Sequence, residues 1–162
     1  MTEPRWLTAD ERATWLRFAA LLQLLPAALD TQLNRDEQLT HFEYFCLAML
    51  SEAPDRTLRM TELAARTNAT LPRLSRVISG LESAGLVDRV PCPGDGRATN
   101  AVLTEAGWAK IVQAAPGHVA TVREFVIDAL TPAQLAQLGR VSERMLARLD
   151  PDGKVVGGLS QS

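Results

Sequence analysis

Between Thr70 and Arg97 the chain carries the side chains that read a polyanion. Arg73 and Arg76 are interleaved with Ser75 and Ser79, with Thr70 just ahead of them. Arg89 follows in a stretch rich in branched residues, and Asp95 and Arg97 lie beside a proline–glycine turn. A guanidinium is a planar fork of donors that fits guanine O6 and N7, and it fits a phosphate equally well. Serine and threonine hydroxyls suit phosphates and base edges. Thr70, Arg73, Ser75, Arg76, Ser79, Arg89, Asp95 and Arg97 are therefore the candidate contacts to duplex DNA.

The elements that would position them are legible. Glu62 to Arg66 predicts a short helix with Leu63 and Ala64 inside, and Thr67 to Thr70 a turn. Thr70 is placed to cap a second helix over 70–83, and Pro72 falls in its first turn, where a missing N–H costs little. Leu71, Leu74, Val77, Ile78 and Leu81 recur at helical spacing as a buried stripe. That leaves the arginines and serines facing out, as a helix entering a major groove requires. Gly85 suits the helix C-cap. Leu86 to Val90 and Ala98 to Leu103 read as two strands, joined by a tip at Pro93-Gly94-Asp95-Gly96-Arg97. The order is that of a winged helix-turn-helix with a two-stranded wing over 86–103. Arg97 can reach a minor groove, where negative potential concentrates. Asp95 either orients an arginine or caps its own turn.

Charge supports the segment rather than the whole. The chain has 162 residues and a net charge of −2. From Arg56 to Arg97 there are seven arginines against four acids, so this stretch is +3 and the remainder −5. A basic middle on an acidic body is what a DNA-binding lobe on a non-binding scaffold shows.

The flanks read as long helices. Thr8 and Glu11 have capping-box spacing, and Trp15, Phe18, Leu22, Leu25 and Leu29 hold a helical period over 8–33, with Pro26 expected to bend it. A polar link, Asn34 to Gln38, precedes a helix over 41–52 capped by Thr40, with Phe42, Phe45, Met49 and Leu50 inward. Residues 104–130 form another helical segment, interrupted at Pro116-Gly117. Thr131-Pro132-Ala133-Gln134 opens a last helix striped by Leu135, Leu138, Val141, Met145 and Leu149. The fold expected is mostly α. Residues 1–38 and 109–150 are dimerisation helices, 39–108 the DNA-binding domain and 151–162 a flexible tail. Stripes so far apart in sequence need a partner, and a dimer fits because one small reading lobe gains little affinity from one half-site.

The residues also carry a resemblance. "LAARTNATLPRLSRVISGLESAGLVDRV…GDGRATNAVLTEAGW" resembles the MarR family of bacterial winged-helix regulators. The matching pieces are Ser75-Arg76, Leu81…Gly85-Leu86-Val87, Asp95-x-Arg97 with Ala98, and Leu103-Thr104-x-x-Gly107. Leu39-Thr40…Phe45…Leu50 resembles the family's second helix. The resemblance implies an obligate homodimer with intertwined terminal helices, a pseudo-palindromic DNA site, and usually repression relieved by a small aromatic or phenolic effector. The chain departs from the family pattern at Arg59, where a serine or threonine is common. Pro72 replaces a small polar residue, and Gly96 stands where a second wing arginine is frequent.

Family ligand sites lie between the dimerisation helices and the DNA lobe, a region that Trp15, Phe18, His41, Phe45 and Trp108 would line here. The same residues read more readily as ordinary core. Cys92 in the wing suggests redox sensing as an alternative regulation, whereas Cys46 on a largely buried helix reads as a small hydrophobe. Another alternative is a winged-helix module for protein–protein contact, which an exposed apolar face on the second helix would favour. No enzyme is expected: there is no nucleophile elbow, P-loop or metal-ligand spacing, and His41 and His118 are far apart in sequence. No cofactor or metal is implied. The Phe18 to Leu29 stretch is too short to span a bilayer, and a cytoplasmic location is expected.

Overall fold

In a computed structural model, residues 3–155 of the chain are described. Six α-helices frame one small sheet: α1 (Ala9–Glu37), α2 (His41–Glu52), α3 (Met60–Arg66), α4 (Leu71–Ser83), α5 (Glu105–Val122) and α6 (Pro132–Leu149). The strands are β1 (Thr57–Arg59), β2 (Val87–Cys92) and β3 (Asp95–Leu103), all antiparallel, with β3 between the other two. The mostly helical winged helix-turn-helix expected from sequence is the architecture observed.

Local chemistry explains where the helices start. Thr8, Thr40 and Thr131 each accept from the backbone N–H three residues on, and Glu11, Glu43 and Gln134 return a bond to the cap backbone. Each such capping box satisfies two donors that a helix start leaves open. Thr70 and Thr104 cap α4 and α5. The end of α4 is a full Schellman motif: Gly85 at φ +74 sends its N–H to Glu82, and the Leu86 N–H reaches the Leu81 carbonyl at 2.9 Å.

Four expectations need correction. First, α1 does not stop at Leu33. Asn34 to Glu37 continue it, and Gln38 ends it in the left-handed region at φ 53. The polar last turn stays helical because its side chains have partners. Asn34 donates to Asp30, and Glu37 accepts from Lys110 of α5 at 2.8 Å. Second, Pro26 lies inside α1, which continues past it as one helix to Glu37. Third, α5 runs through Pro116 and Gly117, and the irregular turn comes later, as a π-helical segment over Arg123–Ile127. The reason lies in the packing of α5 on α1: a Cβ at Gly117 would stand 3.0 Å from Gln32 Nε2, so the small residue fits a close approach inside the helix. Fourth, the return strand of the wing begins at Asp95 rather than Ala98. The tip shrinks to Pro93-Gly94 between Cys92 and Asp95, with Gly94 at the positive φ that a tight turn of this kind demands. Strand β1 is an addition. Three residues are too few to show an alternation, yet they pair with Asn100 to Val102 and anchor the root of the wing.

The core lies where α2, α3 and α4 meet the sheet. Leu47, Leu50, Leu63, Leu74, Ile78 and Val87 are fully buried there. On α2 the buried set is Tyr44, Cys46, Leu47, Met49 and Leu50, whereas Phe42 and Phe45 are only half-buried. On α4 Leu71 leaves the expected stripe and is exposed. The other end of the molecule differs. In α1 only Leu29, Gln32 and Leu33 are buried, and α6 buries none of its residues despite its apolar stripe. The residues expected to form a flexible tail after 155 lie outside the described part of the chain.

Candidate nucleic-acid interface

Helix α4 stands between α2 and the wing. Leu74, Ile78 and Leu81 fix its inner face in the core. At 100° per residue, Pro72 and Arg76 then point directly away from the core, Ser75 and Ser79 turn toward the wing, and Arg73 turns toward α2. Partners follow that geometry.

Arg73 places its guanidinium 4.3 Å from the centroid of the Phe42 ring. A cation over an aromatic face is held there by the ring quadrupole, so Arg73 is tethered at the α2 side of the reading helix. Arg76 is exposed and, among the described residues, has no ion-pair or hydrogen-bond partner. Arg97, on β3, is likewise exposed with its guanidinium unpaired among the described residues. Its backbone N–H donates to Asp95 Oδ1 at 3.2 Å. Asp95 therefore caps its own turn, and the arginine it faces is Arg59, at 4.0 Å, rather than Arg97.

Arg89 was expected to project toward DNA, and it does not. Its side chain turns in from β2 across α4. It donates to the Ser75 carbonyl at 2.7 Å and to the Ser79 hydroxyl, and its Nε lies 3.6 Å from Glu82 Oε2. Ser79 also donates to the Ser75 carbonyl. Arg89 and Ser79 thus join the wing to the recognition helix, and the acid of α4 offsets the charge that Arg89 brings. Antiparallel pairing explains this orientation: Arg89 is opposite Ala101, which is fully buried, so both lie on the inner face of the sheet.

Between α3, the first turn of α4 and β3 lies a concavity of about 410 Å³. Arg59, Arg89, Arg97 and Ser75 line it, and Met60, Leu71, Pro72 and Ala98 supply apolar surface. Arg59 is the functional candidate that sequence reasoning missed. It ends β1, donates to Cys92 Sγ at 3.3 Å and reaches toward Asp95. The signal in the sequence was its place just before α3, but β1 had to be recognised for the wing contact to follow. Of the other basic residues, Arg66 pairs with Glu62 at 2.6 Å. Arg56 pairs with Glu105 and lies 4.1 Å over the Trp108 ring.

The junction of α5 with the wing explains another stretch of sequence. Thr104 accepts from the Gly107 N–H, donates through its hydroxyl to the Gly85 carbonyl at 2.7 Å, and sends its own N–H to Leu86. A Cβ on Gly107 would stand 2.1 Å from the Leu86 carbonyl oxygen, a distance that excludes any side chain there. Leu103-Thr104-x-x-Gly107 is therefore the joint that fixes the wing to the scaffold.

The five residues expected to line a ligand site do not converge within one chain. Trp15 and Phe18 pair at 6.4 Å near the start of α1, beside an apolar hollow of about 570 Å³ shared with Val141 and Met145 of α6. His41 lies at the far end of α1, its N–H bonded to Asp30, and its ring stacks on His118 at 6.0 Å. Tyr44 is 4.4 Å from the same His118. Burial lowers the pKa of both histidines, and the Asp30 carboxylate partly restores that of His41. Phe45 is half-buried on α2, and Trp108 lies under Arg56. Two buried polar atoms at this junction, Gln32 Oε1 and His118 Nδ1, have no hydrogen-bond partner. Cys46 is buried, which pushes its thiol up to about 12, with Glu43 adding to the shift. Cys92 is half-buried in the wing. Among the described residues no helix is long and apolar enough to cross a membrane.

Comparison with known proteins agrees with this geometry. The family model described as "MarR family" matches residues 38–98. The solved structure of Sco3205, a MarR family transcriptional regulator from Streptomyces coelicolor in complex with DNA, is 43% identical with a TM-score of 0.89, covering 93% of this chain and 94% of that one. AbsC, a MarR family transcriptional regulator from the same organism, is 37% identical with a TM-score of 0.85, covering 90% and 98%. The HTH-type transcriptional repressor YetL of Bacillus subtilis (strain 168) is 28% identical over 139 residues, covering 78% of this chain and 83% of its own.

Proposed function

Because the chain belongs to the MarR family of transcriptional regulators, we propose that it acts as a homodimeric, DNA-binding repressor. Residues 39–108 read the duplex, while 1–38 and 109–150 join the two subunits. The observation that carries this reading is the pair of unpaired guanidinia. Arg76 projects from the outer face of α4 and Arg97 from the wing, each opposite the side that packs into the core. Arg76 takes a guanine edge or phosphate in the major groove, and Arg97 reaches the flanking minor groove. The Thr70 and Ser75 hydroxyls serve neighbouring phosphates.

The dimer is supported by what one chain leaves uncovered. Helix α6 carries Leu138, Val141, Leu146 and Leu149 exposed, and the first half of α1 does the same with Trp15, Leu16 and Leu22. Apolar area of this extent marks an interface rather than scattered surface residues. Twofold pairing would place the two α4 helices in successive major grooves, about 34 Å apart.

The test is retardation of the DNA upstream of the chain's own coding sequence at low salt. Binding that weakens on Arg76→Ala and on Arg97→Ala, and that weakens for all sequences as salt rises, supports the reading. Absence of retardation by the purified chain at low salt sinks it.

Release by a small aromatic acid is the regulation we assign to the junction of α1, α2 and α5. The unpartnered acceptor Gln32 Oε1 and the unpartnered His118 Nδ1 there favour an acid that also carries a hydroxyl donor, such as a phenolic acid, which would supply the missing bonds. DNA affinity measured across a panel of aromatic acids checks this; no change with any of them removes it.

A further inference from the structure

The recognition helix begins with two apolar residues that the core does not use. Leu71 occupies its first position and is 45% exposed, and Pro72 beside it is exposed too. A single exposed leucine means little. These two, however, line one concavity together with Met60, Ala98 and the side chains of Arg59, Arg89 and Arg97. Apolar surface beside one free guanidinium, that of Arg97, suits a ligand that is anionic at its edge and carries a hydrocarbon group next to it.

Duplex DNA has that composition at one kind of base pair. In the major groove the base edges display polar donors and acceptors, and thymine alone adds a methyl, at C5 beside its O4 acceptor. We infer that Leu71 and Pro72 form a contact for a thymine methyl and so determine sequence specificity. The inference rests on the DNA-reading function proposed above. It also fixes a spacing. Pro72 and Arg76 share the outer face of α4, four residues or about 6 Å apart along the axis. Base pairs rise about 3.4 Å each. The thymine therefore lies about two base steps from the base that Arg76 contacts. Pro72 suits this role better than a polar residue at the same place, because it adds hydrocarbon and its ring carries no N–H to be left unpaired.

The experiment uses the full chain and a duplex enriched by it from a random library. Each thymine of that duplex is replaced in turn by deoxyuridine, which lacks only the methyl, in both half-sites together. Burying one methyl-sized group is worth about fourfold per half-site, so the sensitive position should weaken about fifteenfold for the symmetric replacement. Leu71→Ala, a truncation of an exposed side chain, and Leu71→Ala with Pro72→Ser should lose that sensitivity at that position alone. The proposal is overturned if no thymine shows the effect. It is equally overturned if the variants respond to deoxyuridine as the parent does, since the methyl would then act through DNA shape. If no duplex is enriched at all, the DNA-reading function fails first and takes this inference with it.

Discussion

Replacing Arg89 tests whether the wing and the recognition helix form one rigid reading unit. The guanidinium donates to the Ser75 carbonyl at 2.7 Å and to the Ser79 hydroxyl, and pairs with Glu82 at 3.6 Å, with the arginine side chain 27% exposed and the glutamate 43%. Hydrogen bonds from a charged donor contribute about 1.5–3 kcal/mol each. The exposed ion pair adds at most about 1 kcal/mol. Freeing the arginine rotamers returns about 2 kcal/mol. The Ser75 carbonyl is not orphaned, because Ser79 still donates to it at 3.0 Å. Arg89→Ala should therefore lower folding stability by about 1–5 kcal/mol, read by urea denaturation at fixed protein concentration. Affinity for DNA should also fall, because the helix and wing lose their fixed relation. The slope of log affinity against log salt should not change, since no phosphate contact is removed. Arg97→Ala should do the reverse, leaving stability alone and reducing the slope by about one per subunit. Arg89→Lys keeps the charge without the fork and should restore less than half of the stability. The reasoning is refuted if Arg89→Ala keeps full stability and flattens the salt slope, for Arg89 would then be a direct phosphate contact.

Three further outcomes follow from the geometry. Gly107→Ala forces a Cβ to 2.1 Å from the Leu86 carbonyl and 2.6 Å from Leu103 Cδ1, so it should destabilise the fold by about 3 kcal/mol or more, seen as a depressed melting temperature. A thiol reagent at pH 8 should label Cys92 alone in the native protein, because burial holds the Cys46 thiol up to about 12, and both cysteines once the chain is denatured; fast native labelling of Cys46 would contradict the packing of α2. The His41 and His118 pKa values are lowered by burial, so the unfolded chain binds more protons and stability falls as pH drops below about 6.5 toward the folded values; His41→Gln with His118→Gln should flatten stability between pH 7 and pH 5.5, and an unchanged profile would count against the stacked pair.

The reading helix and wing were legible because their chemistry is local. A threonine cap, a 3.6-residue apolar period and a glycine at a positive φ are written in consecutive residues. Three kinds of feature were not legible. Strand β1 is too short to show a pattern and exists because β3 offers it an edge. The continuity of α5 through Pro116 and Gly117 goes with its close approach to Gln32 of α1, a tertiary contact that the local signal to break does not contain. The fate of each arginine was hidden for a third reason: charge can be counted from sequence, but its direction depends on what faces it. Arg73 meets Phe42 because α2 crosses beside α4, and Arg89 turns inward because its strand position lies on the buried face of the sheet.

That distinction has a measurable consequence for the whole assembly. A basic segment of net +3 suggests seven cationic contacts per subunit, yet most of those guanidinia already hold protein partners, and Arg76 and Arg97 remain free among the described residues. Two per subunit make four per dimer. If each of the four, wherever it seats in the grooves, displaces one phosphate counterion at a slope of about −0.9, the dimer's salt dependence is at most near −3.6. Seven engaged arginines on each subunit would instead give about −12.6 on the same rule. A slope near the smaller figure means the tethered arginines keep their protein partners when DNA binds, and their role is to aim the two free ones. A slope steeper than about −6 would mean that Arg59 and Arg73 exchange Asp95 and Phe42 for phosphates on binding, and the interface of the free protein would then be a stored, not a finished, arrangement. Because four contacts supply only modest electrostatic affinity, the first outcome also requires that base-edge and methyl contacts along α4 carry the discrimination between sites, which is where Arg76, Leu71 and Pro72 are placed.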